Sequence, residues 1–95
     1  MTTQDPLELL RQMDIGFSPQ NLVYNSGNGN NITAVELLLK AGMDVDSFSK
    51  EGQTAIWNAA WAGREKILNL LIANKANVNL ANTTGETPLL TAVYK

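Results

Sequence analysis

The chain has no cysteine and no histidine among its 95 residues. The first absence excludes a disulfide framework, a thiolate zinc site and a cysteine nucleophile. The second removes the commonest general base and the commonest metal-binding side chain. Charge is also sparse: seven Lys and Arg stand against nine Asp and Glu, a net charge of −2. Such a balance argues against a strong, sequence-independent hold on phosphate backbones or anionic lipid, so neither nucleic acid nor a membrane is expected as partner. Apolar runs are short, as in Leu37-Leu38-Leu39, where a membrane-spanning helix needs about 20 such residues. Met1-Thr2-Thr3-Gln4-Asp5-Pro6 carries no basic residue and leads into no long apolar stretch. It does not read as a secretory signal, and the expected location is cytoplasmic.

What is present is a repeat. Displaced by 33 residues, the sequence matches itself without a gap: Asn25 falls on Asn58, Leu37-Leu38 on Leu70-Leu71, Val45 on Val78, Gly52 on Gly85, Thr54 on Thr87 and Ala59 on Ala92. Similar residues keep the register, with Val23, Ile56 and Leu89 in one column, Tyr24 and Trp57 in another, and Asp46 and Asn79 in a third. A fixed period of this size marks stacked supersecondary units, each too small to bury its apolar face alone. Residues 1–95 thus form a single domain: a capping helix over 5–14, a degenerate first repeat over 18–48, a second over 49–81, and a partial third over 82–95.

One period, from Gly52 to Asn82, shows the content of the unit. Gly52 suits a turn, and Thr54 is placed to cap a helix over Ala55–Trp61 that ends near Gly63. A second helix carries Ile67, Leu68, Leu70, Leu71 and Ile72 on a broad apolar face and is broken at Asn74-Lys75. Asp5-Pro6 opens an earlier helix, expected to cover the first repeat with Leu7, Leu10 and Met13 while Glu8, Arg11 and Gln12 face water.

Gly85-Glu86-Thr87-Pro88-Leu89-Leu90-Thr91-Ala92 resembles the ankyrin signature G-x-T-P-L-H-x-A, and Val35 to Asp46 resembles its second helix and loop. The resemblance covers Ser18 to Lys95 and implies an all-α ankyrin-repeat solenoid of stacked helix-turn-helix units with an N-terminal capping helix. Asn30 and Lys75 stand where the family has helix-ending glycines. Tyr24, Trp57 and Leu90 replace the signature histidine, from which a weaker turn-to-turn ladder is expected. The leading helix, Phe17-Ser18-Pro19 and the degenerate first repeat look more like bacterial ankyrin proteins than animal ones.

The resemblance further implies a non-catalytic protein-binding module whose first helices and turn tips line a concave groove. Carried onto this chain, the partner-binding positions are Phe48, Lys50, Glu51, Gln53, Trp61, Asn74, Glu86 and Tyr94. Trp61 and Tyr94 are of the types that dominate binding hot spots, whereas Trp57, one turn before Trp61, reads as structural. An alternative is a structural or targeting arm of a larger protein continuing beyond Lys95.

Other chemistry is weaker. Asp44 and Asp46 with Asn77 and Asn79 suit turn capping better than calcium. Asn25 to Asn31 lacks the lysine of a phosphate loop and reads as a frayed helix end. Glu51 and Glu86 are one repeat apart with no pocket implied between them. No enzyme activity, cofactor or metal is expected. Residues 1–48 hold six acids and two bases, and 49–95 three acids and five bases, a polarity that suggests weak head-to-tail self-association.

Overall fold

Local capping places the helices. The computed structural model describes residues 5–88, which form α1 (Pro6–Gln12), α2 (Pro19–Ser26), α3 (Ile32–Lys40), α4 (Ala55–Ala62) and α5 (Glu65–Ala73). Four of the five begin after a side chain that accepts from a free backbone N–H of the first turn. Asp5 accepts from Leu7, Ser18 from Asn21, Asn31 from Ala34 and Thr54 from Trp57. Pro6 and Pro19 occupy the first helical turn, where a missing N–H costs nothing.

The helix ends are equally local. α3 and α5 close through left-handed residues, Gly42 (φ 106°) and Lys75 (φ 68°). The next N–H then reaches back to the last turn, from Met43 to Leu38 and from Ala76 to Leu71, both at 3.0 Å, the Schellman pattern. α4 closes the same way at Gly63, with Arg64 N–H on the Ala59 carbonyl at 2.9 Å. Lys75 therefore holds a conformation that costs a side-chain-bearing residue roughly 1–2 kcal/mol.

Tertiary packing follows the period. α2 lies against α4, α3 against α5, and each pair closes on itself, while α1 lies against α3. Leu22, Val35, Leu38, Ala55, Ile56, Ala59, Ile67 and Leu71 form the core with Leu10. The result is an all-α stack, and among the described residues there is no strand.

Two local expectations change. α1 stops at Gln12 because Asp14 turns left-handed (φ 62°), sending Ile15 N–H back to the Leu10 carbonyl at 2.9 Å. Ile15 thus packs on the core in the place expected of Met13. Leu10 alone of the three anticipated residues is buried, whereas Leu7 and Met13 are exposed. The asparagine-rich stretch is not frayed. Asn25 and Ser26 are buried, Asn30 is left-handed at φ 46°, and Asn31 caps α3. Of the partial third unit only the opening turn and Pro88 are described; Leu90, Ala92 and Tyr94 lie outside the described residues.

Candidate functional site

Successive units are joined by polar side chains as well as by apolar faces. Gln20, in the first turn of α2, accepts from Lys50 N–H at 2.9 Å and donates to Glu51 Oε1 at 3.0 Å. Its equivalent one period later, Gln53, accepts from Asn82 Nδ2 at 3.1 Å. Thr83 N–H reaches the Gly52 carbonyl at 3.1 Å. Gly52 has φ 80°, and a Cβ there would lie 2.1 Å from Thr83 Oγ1, so the contact requires glycine. In place of histidines, the turn-to-turn ladder runs through these two glutamines and through backbone.

The inner helices are joined similarly. Asn58 Nδ2 donates to the Val23 carbonyl and Arg64 Nε to that of Gly27, both at 2.9 Å. Gly27 has no side chain because a Cβ would come within 2.6 Å of the Asn58 amide. On the outer loops, Asp44 and Asn77 accept from backbone N–H groups of their own turns, and Asp46 accepts from Asn77 N–H of the next unit at 2.9 Å. These side chains do turn chemistry, and no group of three Asp, Glu, His or Cys placed to hold a metal ion exists among the described residues.

Among the shallow clefts of the described surface, two flank the turn at Ser49–Glu51. One, of about 320 Å³, lies over α2 and α4 and is lined by Tyr24, Asn28, Glu51, Gln53 and Asn58 with Gln20. The other, of about 260 Å³, is lined by Pro19, Phe48 and Lys50. The Glu51 carboxyl is held below the usual carboxylate value, chiefly by the hydrogen bond from Gln20 and then by its own backbone N–H.

Phe48, Lys50 and Glu51 are exposed at this turn, and Gln53 is half-buried beneath it. Trp61 is 46% exposed while lying flat on Trp57, with ring centroids 5.5 Å apart and planes 16° from parallel. Trp57 is buried, and its Nε1–H has no hydrogen-bond partner among the described residues. Two other anticipated positions, Asn74 and Glu86, are exposed and also make local hydrogen bonds. Asn74 Nδ2 donates to Leu70 of its own helix, and Glu86 accepts from Asn82 and Thr84 side chains. Tyr94 lies outside the described residues.

Gln20, Tyr24 and Asn58 line the cleft but were not among the positions expected from the sequence. A signal existed for the first, since Gln20 and Gln53 fall in one column of the period. None existed for Tyr24, because its column also holds the buried Trp57.

Comparison with known proteins adds two findings. The family model of ankyrin repeats, in three copies, matches residues 10–95. The chain is also similar to the potassium channel AKT2/3 of Arabidopsis thaliana, 36% identical over 70 residues, a match covering 73% of this chain and 9% of the channel. The chain thus spans under a tenth of that relative's length.

Proposed function

The chain belongs to the ankyrin-repeat family, whose repeats are in general protein-interaction modules, and from that premise we propose that it holds a partner protein in a concave groove along α2, α4 and the turn tips. The reading is one of binding without chemistry. Its main support is Trp61, a large ring kept 46% exposed on a stacked neighbour. Tryptophan is among the residue types most enriched at binding hot spots. Phe48, Lys50 and Glu51 extend the same proposed surface at the tip, and the family model reaches Tyr94 beyond them.

The test compares capture of a partner by the wild-type chain and by the Trp61→Ala, Tyr94→Ala double variant, after circular dichroism has shown both to be folded. Loss of about 1–2 kcal/mol or more of binding with helicity intact is expected. Parallel loss of helicity and binding would return Trp61 to a structural role.

A second reading is a structural or targeting arm of a larger protein. It is favoured by the plant channel, in which the matched stretch is only 9% of the whole. An open reading frame running on past Lys95 into further repeats or another domain would select it.

A further inference from the structure

The cleft over α2 and α4 has one sign of charge. Glu51 is the only ionised side chain among its lining residues; Lys50 next to it lines the neighbouring cleft instead. The other walls are neutral: the half-exposed ring of Tyr24 and the amides of Asn28, Gln53 and Asn58. Asn58 and Gln20 are already oriented. Asn58 commits its Nδ2 to Val23, which leaves its oxygen as the acceptor it can offer, and Gln20 fixes Glu51 from the side.

An aromatic face, a fixed carboxylate and amide acceptors, with no cation among the lining residues and Lys50 turned to the neighbouring cleft, complement a planar cationic group. From this geometry, and resting on the partner-binding reading above, we infer that the cleft receives a basic side chain, arginine in preference to lysine, from an exposed segment of the partner protein. A guanidinium stacks on an aromatic ring and bonds carboxylate and amide oxygens from its edges, whereas an ammonium is a compact, strongly hydrated point charge. A carboxylate has about four lone-pair sites, so Glu51 retains acceptor capacity beside its bond to Gln20. As an exposed carboxyl, Glu51 is ionised at neutral pH, and the hydrogen bond from Gln20 lowers its pKa further.

The test is selection of a displayed library of random linear peptides on the full chain, its Glu51→Gln variant and its Glu51→Lys variant. Glutamine keeps an oxygen for the Gln20 amide and removes only the charge. The expected result is enrichment of arginine at one peptide position on the wild type, at least roughly tenfold, its loss on Glu51→Gln and a shift to acidic residues on Glu51→Lys. A selected peptide resynthesised with citrulline for that arginine should bind about tenfold more weakly, a readout that needs no protein variant. Peptides enriched without a basic position, or equally on wild type and Glu51→Gln, overturn the inference and leave groove binding standing. Failure of the wild-type chain to enrich any peptide counts against both.

Discussion

Tyr24 and Trp57 occupy the same position in successive helix pairs, α2 with α3 and α4 with α5, yet Tyr24 is 51% exposed and Trp57 only 7%. The difference lies one turn further along. The second pair has Trp61 there, stacked over Trp57; the first has Asn28, which is too small to cover a ring. The pairs differ again at the starts of their outer helices. Asn31 caps α3 with its side chain, while its equivalent Arg64 makes no cap and sends its guanidinium back to Gly27. Beneath these differences the core columns match: Leu22 with Ala55, Val23 with Ile56, Ala34 with Ile67 and Leu38 with Leu71 are all buried. One frame therefore presents two different surfaces, because a column fixes burial against neighbouring helices while single substitutions decide what covers the outside.

Equivalent positions should respond unequally to the same change. Gly52 and Gly85 share a column and a left-handed backbone, but only Gly52 is pressed on Thr83; around Gly85 no described residue lies within 4 Å. Gly52→Ala is expected to cost about 3 kcal/mol or more, from backbone strain plus overpacking, and Gly85→Ala about 1 kcal/mol from strain alone. Urea denaturation reads both, and equal costs would mean that the turn contact contributes nothing.

Gly27 stands where the second pair has Ala60, so Gly27→Ala makes the two pairs alike at the price of a clash with Asn58. A loss of about 1–3 kcal/mol is expected. Adding Asn58→Ala should recover part of it, and a double-mutant cycle measures the coupling.

Trp61→Ala makes the second pair resemble the first. Trp57 is expected to become exposed as Tyr24 is, shifting its fluorescence to longer wavelength, with a stability loss of about 1 kcal/mol from the lost ring stack. An unshifted Trp57 emission would show that something other than Trp61 keeps it dry.

The smallest effect concerns Glu51. Its folded carboxyl is held below the ordinary value of 4.5, first by Gln20. A depressed carboxylate contributes stability above its unfolded pKa, and the contribution fades as pH falls through the folded one. Gln20→Ala should raise the Glu51 pKa in an NMR titration and destabilise the fold slightly at neutral pH, and the gap from wild type should narrow below pH 4.5. A gap independent of pH would assign the effect of Gln20 to its bond with Lys50 N–H.

Much of the scaffold was legible from residues a few positions apart. Thr54 before Ala55-Ile56-Trp57 announces a cap, and Asn30 announces a left-handed end. Lys75 was legible only through the period, as the place of a missing glycine. The proposed binding surface was less legible. Trp61 and the tip residues 48–51 emerge as exposed, but Asn74 and Glu86 bond within their own units, and the cleft walls Tyr24 and Asn58 gave no local sign of their place.

The amino-acid sequence by itself determined the 33-residue period, most of the helix starts, and the columns that form the core, because capping and amphipathic spacing act within one or two helical turns. Only the tertiary structure decided which of two equivalent rings is exposed, that Gln20 reaches Lys50 and Glu51, and that Gly27 must leave room for Asn58. Those outcomes depend on side chains about one period apart, which meet only when the units stack.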